Sequence, residues 1–263
     1  MFRSKIHLLS WMLVAVMLVF IYLPVAVLVL FSFQSGELPV PPLDGPSLRW
    51  YQQALSNDRL TGALWNSLVV GALSSAFATL LASFAAYGMF RHRPIAADTF
   101  RMILMAPLMV SYLIIGLGLL IVFNMTGFGR SLLAVGIGHA VINLPLCFAI
   151  IYSQLGDHLR NIDNAAHDLG AGDLSTMRRV IMPIMLPSIM AVFCLSFTLS
   201  WDEFIISLLL SRFDVTLPVM IFELMRAGLT PEVNAAGTIV FAISFATAVA
   251  AAIAIMSRSA SAR

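Results

Sequence analysis

Two adjacent carboxylates, Asp202 and Glu203, stand in the otherwise apolar run FTLSWDEFIISLLL and are the residues of this chain best placed for chemistry. A carboxylate at the centre of a membrane helix costs roughly 2.5 to 3.5 kcal/mol on insertion scales. No Lys, Arg or His lies within eight residues on either side. Each carboxylate must therefore face water in a pathway, carry a proton, or find a partner across a bundle. Neighbours on a helix differ by about 100°, so at most one of the pair points squarely into a pore. Trp201 offers a ring face on which a cationic or planar solute can stack, and the same ring can serve as packing.

A second stretch is polar and helix-patterned, DNAAHDLGAGDLSTMRRVIMPIMLP from Asp163 to Pro187. Asp163 or Asn164 is suited to cap a helix whose small residues Ala165 and Ala166 admit a close partner. Asp168 and Leu169 follow, then Gly170, Ala171 and Gly172, where the glycines break the helix. A short amphipathic piece from Leu174 to Met182 carries Arg178 and Arg179, and Pro183 and Pro187 turn the chain back. The expectation is a helix, a turn and a helix on a membrane surface.

Bulk composition limits what can position these residues. With 60% hydrophobic residues, 11% charged residues and a mean hydropathy of +0.94, the 263-residue chain is a polytopic membrane protein. A net charge of +2 without clustered Lys or Arg excludes a nucleic-acid partner. Cys147 and Cys194 fall in apolar runs and read as small core residues rather than a disulfide or metal pair. The five histidines are scattered without metal-ligand spacing, which predicts solvated or capping roles. Lys5 is the only lysine, so no phosphate-cradling G-x-x-x-x-G-K-[ST] loop exists here. If ATP drives the protein, another polypeptide hydrolyses it.

The predicted fold is all-α with six transmembrane helices. The first span runs from Trp11 to Phe33, long enough to cross the roughly 30 Å hydrocarbon core. Its length and bulky residues indicate a retained span rather than a cleaved signal. A Pro/Gly-rich external loop with a short helix at 47–55 follows. Further spans are predicted at about 61–90, rich in Gly, Ala and Ser, then 100–123, 131–152, 187–210 and 234–256. The third contains Pro107 and the pair Ser111-Tyr112. Residues 1–60 form the first helix and external loop, and 61–263 the core, with the polar loop at 157–187.

Arg3, Lys5, Arg91, Arg93, Arg101, Arg160, Arg178, Arg179, Arg258 and Arg263 fall on one side of this layout. Arg49, Arg59, Arg130, Arg212 and Arg226 fall on the other. The positive-inside rule places both termini and the polar loop in the cytoplasm, where ATP is available.

The spacing Asn164-Ala165-Ala166, three residues, Gly170, nine residues, Val180, one residue, Met182-Pro183 resembles the EAA loop of importer-type ABC transporter permeases. Asn164, Val180 and Met182 stand where that family has Glu, Ile and Leu. The resemblance implies the type I importer permease fold, with the loop as a coupling helix docked into a separate ATPase. It carries an ATPase-coupling role onto Asp163, Asn164, Ala165, Ala166, Asp168, Leu169, Gly170 and Ala171. Narrower similarity to the spermidine/putrescine branch rests on Asn66-Ser67-Leu68, Thr198 to Phe204, Leu217-Pro218 and Arg226-x-Gly228-x-x-Pro231-Glu232-Val233-Asn234-Ala235. The chain is most similar to the second permease of such systems.

That likeness implies a multi-pass protein of the bacterial inner membrane, paired with a second permease, an ABC ATPase dimer and a periplasmic substrate-binding protein. It implies no catalysis and no cofactor in this chain, ATP and Mg being bound by the ATPase. It also implies a substrate pathway at Trp201, Asp202, Glu203, Ser111 and Tyr112. The branch shows Pro and an acidic residue where Ser111-Tyr112 stands, so the expected solute is a polyamine such as putrescine or spermidine, or else a less cationic opine, amino-acid derivative or phosphonate. A proton-coupled secondary transporter is the competing class. It too would want intramembrane carboxylates, but it has no use for a docking loop.

Overall fold

The structure is a computed structural model that describes residues 2–92, 96–228 and 230–261; Arg93 and Arg263 of the charge count lie outside them. The element order is α1 (Phe2–Ser32), α2 (Arg49–Ser56), α3 (Asp58–His92), α4 (Ala97–Met105), α5 (Tyr112–Met125), α6 (Leu132–Gln154), α7 (Asp157–Asp168), α8 (Asp173–Thr176), α9 (Met182–Trp201), α10 (Ile205–Leu210), α11 (Leu217–Ala227) and α12 (Pro231–Ser261). A 3₁₀ turn (Ala106–Met109) precedes α5, and a π-helical turn (Met177–Ile181) precedes α9. All elements among the described residues are helical, and the one extended pairing is a single bridge between Gln34 and Pro46. Helices satisfy backbone hydrogen bonding within one segment, which is why a chain this apolar is built from them.

Among the described residues, five helical stretches are long and apolar enough to cross a membrane, and six if one bent pair counts as a span. That pair corrects the expected straight third span. Ala97–Met109 and Tyr112–Met125 meet at 104°. Pro107 cannot donate a backbone bond, and Val110 and Ser111 are extended (ψ 138° and 139°), so the helix stops and restarts with the Ser111 hydroxyl accepting from Leu113 N–H.

The chain divides into two compact units. In the one formed by Met1–Thr61 and Met220–Ala242, the buried Gln34 carboxamide organises the loop after α1. Its Nε2 donates to the carbonyls of Val40 (3.4 Å) and Pro42 (3.2 Å), and its Oε1 accepts from Asp44 N–H (3.0 Å). Glu232 accepts from Gln53 and Asn57 at 3.2 Å each, fastening the start of α12 to α2 and to the residue that caps α3.

The other unit, Gly62–Val219 with Ile243–Arg263, holds the polar loop and the acidic pair. Here α3 buries a file of small residues, Ser67, Ser74, Ser75, Ala78, Thr79, Ala82, Ser83 and Ala86. Small side chains let helices approach closely where apolar burial gives no preference for protein over lipid. Ala140, Cys147, Phe148 and Ile151 of α6 and Met185 and Val192 of α9 complete that cluster. Ile206 and Leu210 of α10 pack on α6 at Gly138, where an added Cβ would lie 2.5 Å from Ile206, and Leu209 packs on α5 at Gly116.

Two further expectations are corrected. Pro183 and Pro187 do not turn the chain, because Asp173–Trp201 runs as one helical stretch of 29 residues. The π turn accommodates Pro183: Met182 N–H bonds Met177 O, five residues back, so the hydrogen-bond register shifts just before the residue that has no N–H to give, while Pro187 stands inside α9. The expected fifth span is also not one helix. It breaks at Asp202–Phe204, between α9 and α10.

Candidate functional site

The polar loop is two arms joined by a turn. Gly170 has φ +85°, the left-handed conformation that glycine adopts without strain, and it ends α7 one residue past Leu169. Leu169 is 90% exposed at the tip, and Leu174 on the far arm is 68% exposed. Two large apolar side chains held in the open beside a tight turn form a surface suited to a partner. Asn164, Ala165 and Asp168 are exposed, while Ala166 and Ala171 are half-buried.

Asp163 faces inward. It lies within α7 rather than capping it, and it is 1% exposed. Its Oδ1 accepts from the Tyr87 hydroxyl at 2.8 Å, and its Oδ2 pairs with Arg91 at 3.2 Å. Asp173 on the far arm pairs with Arg91 (3.6 Å), His92 (3.3 Å) and His167 (3.3 Å).

At the helix break, the two neighbouring carboxylates have separate fates. Asp202 closes α9 (φ −89°, ψ −2°), is exposed, and accepts from the Ser244 hydroxyl at 3.1 and 3.3 Å. Glu203 is buried and caps α10: its carboxylate accepts from Ile205 N–H (2.9 Å), Ile206 N–H (2.9 Å) and Ser207 N–H (3.2 Å). A carboxylate at a helix N-terminus meets the unpaired N–H groups and the positive end of the dipole, which offsets its burial.

Glu203 also belongs to a chain of polar groups that the sequence does not announce. His139 of α6, 1% exposed, reaches Ser200 with Nδ1 (2.6 Å), and with Nε2 it reaches Ser207 (3.0 Å) and Glu203 (3.5 Å). Ser200 continues to Ser74 of α3 at 2.9 Å. One imidazole thus ties α3, α6 and both sides of the break. The expected solvated or capping role does not hold for His139. Only its place in an apolar run signals burial in the sequence, and its partners lie 61 and 68 residues away.

Trp201 is 1% exposed and stacks on Phe197 at 6.1 Å, with no hydrogen-bond partner for its indole N–H among the described residues. Ser111 caps α5, and Tyr112 is 40% exposed. Among the described residues no hydrogen bond joins this pair to Trp201, Asp202 or Glu203.

Known proteins resemble the chain in sequence and in fold. The chain is 30% identical over 238 residues to the spermidine/putrescine transport system permease protein PotC of Escherichia coli K12, covering 88% of each chain. It is 32% identical over 244 residues to the putrescine transport system permease protein PotI of the same strain, covering 88% of this chain and 85% of PotI. A bacterial alginate ABC transporter, solved in complex with an alginate pentasaccharide-bound periplasmic protein, matches 96% of this chain and 93% of its own with a TM-score of 0.68 at 16% identity. The family of binding-protein-dependent transport system inner membrane components matches residues 78–262. The chain therefore belongs to that family and is a membrane permease subunit of an ABC importer, not an enzyme.

Proposed function

We propose that this permease imports a polyamine-class cation. The Asp163 to Pro187 loop takes up the motion of a separate ATPase dimer, and Asp202 lines the route. Likeness to two polyamine permeases across 88% of the chain supports the substrate class. The observation that carries the reading is Asp202 itself: an exposed carboxylate at a helix break that forms no ion pair among the described residues. A negative charge left without a cationic side chain attracts a cationic solute. A periplasmic binding protein delivers that solute, and a second, non-identical permease supplies the other half of the pathway. Both termini and the loop face the cytoplasm, in keeping with the distribution of Arg and Lys.

A less cationic solute is favoured by one observation: the 104° bend before α5 carries Ser111-Tyr112 and no carboxylate. Uptake into proteoliposomes holding the complete transporter separates the two. Radiolabelled putrescine uptake should fall at least about tenfold in Asp202→Asn with assembly intact, the size of one lost charge-assisted contact. Unchanged uptake in that variant removes Asp202 from the route, and no putrescine uptake by the unsubstituted transporter, or a binding protein that retains an uncharged solute, removes the polyamine assignment.

A further inference from the structure

Both arms of the polar loop are held by one short segment. On the near arm, Asp163 is held by Tyr87 (2.8 Å) and Arg91 (3.2 Å), the Arg91 guanidinium donates to Asn164 Oδ1 (3.1 Å), and Arg160 donates to the carbonyl of Phe90 (3.0 Å). On the far arm, Asp173 meets Arg91 (3.6 Å) and His92 (3.3 Å). All of these holding groups come from residues 87–92, the last turns of α3, while His167 of the near arm itself spans to Asp173 (3.3 Å) and joins the two arms to each other. The 169–172 turn is free by contrast: a Cβ added at Gly170 or Gly172 would meet nothing within 4 Å.

Leu159, Met177 and Ile181 seat the base of the arms in the apolar cluster. Apolar burial is non-directional, however, and permits sliding. The guanidinium is directional, and Arg91 is the one side chain of the 87–92 segment that touches both arms, whereas His167, itself on the near arm, links the arms to each other. Force applied at the turn is therefore carried into α3 through Arg91. The same helix bears Ser74, bonded to Ser200 beside the break.

The geometry points to Arg91 as a positioning residue of transport, gripping Asp163 on one arm and Asp173 on the other so that a displaced turn displaces α3. This rests on the reading of the loop as the ATPase-docking element. The test uses the complete transporter in proteoliposomes, with the binding protein carrying the solute with which it is isolated. A benzophenone amino acid at Leu169 reports ATPase contact by photocrosslinking.

Arg91→Met should keep the crosslink and basal ATP hydrolysis but lower binding-protein stimulation of hydrolysis at least about tenfold, within the range of ordinary coupling energies. Arg91→Lys, which keeps the charge beside Asp163 but not the fork that reaches both arms, should recover only in part, lying between the Met variant and the original. Full stimulation in Arg91→Met, or equal loss in the Met and Lys variants, overturns the proposal. A crosslink lost only in Arg91→Met overturns it as well, because Arg91 would then be shaping the docking surface rather than transmitting from it. A crosslink absent from the unsubstituted protein instead removes the docking reading itself. Should Arg91→Met fail to assemble, Asp173→Asn, at a half-exposed carboxylate, tests the grip from the far arm: lowered stimulation supports it and unchanged stimulation overturns it.

Discussion

Asp163 in the polar loop and Glu203 at the helix break are both nearly sealed from solvent, at 1% and 6% exposure, and each is a carboxylate in an apolar protein. They are compensated by different means. Glu203 is served mainly by the backbone N–H groups of the three residues Ile205, Ile206 and Ser207, with His139 of α6 farther off at 3.5 Å, so its three short bonds fix an angle within one stretch of chain. Asp163 is served by Tyr87 and Arg91 on another helix, so its bonds fix a distance between two elements. A local cap holds wherever the neighbouring helix goes. A side-chain pair between elements reports their relative position, and such a contact can pass motion on.

The largest expected effect tests the local cap. Glu203→Ala leaves three buried N–H groups without their acceptor, at a cost of about 3 to 5 kcal/mol. Thermal unfolding of the purified complex should show a much lower midpoint, or the complex should fail to assemble. A midpoint like that of the unsubstituted protein would mean the cap does not hold the break. Next is Gly170→Ala. The added methyl group has open space, so the cost is only the left-handed backbone, about 1 to 2 kcal/mol. Hydrogen exchange in the turn should quicken and binding-protein stimulation of hydrolysis fall, while membrane insertion is unchanged. Unaltered exchange would show that the turn accepts another conformation. The smallest effect on stability belongs to Asp202→Asn, which can keep its bond to Ser244. Its unfolding midpoint should stay within error of the original while uptake falls. A stability loss as large as that of Glu203→Ala would make Asp202 a structural residue and abolish the contrast between the neighbours.

The spans and the turn of the loop are legible in the sequence because their causes are local. Length and apolarity mark the helices, and the glycines mark the turn; φ +85° at Gly170 is what a glycine in that place is for. The break at Asp202–Phe204 is not legible by the usual punctuation, since no Gly or Pro stands there. It is made by a side chain capping the helix that follows, and the pattern is visible only as an acidic residue just ahead of IISLLL. Pro183 misleads for the opposite reason, as the π turn just before it accommodates it, and Pro187 sits inside α9 without ending it. The inward face of Asp163 and the partners of His139 depend on residues dozens of positions away, and one sequence carries no signal for such pairings.

The 35 residues of α3 set a physical scale. At 1.5 Å per residue the helix measures about 52 Å, whereas a bilayer with its headgroups is about 40 to 45 Å thick. A tilt of about 20° shortens its reach by only about 3 Å. At that tilt the helix is a gauge longer than the membrane that surrounds it, and one end or the other emerges beyond the lipid. If the protruding end is the one bearing Arg91 and His92, the ion pairs with Asp163 and Asp173 form above the headgroups. A partner reaching the exposed leucines would then approach through bulk water, with no lipid to displace.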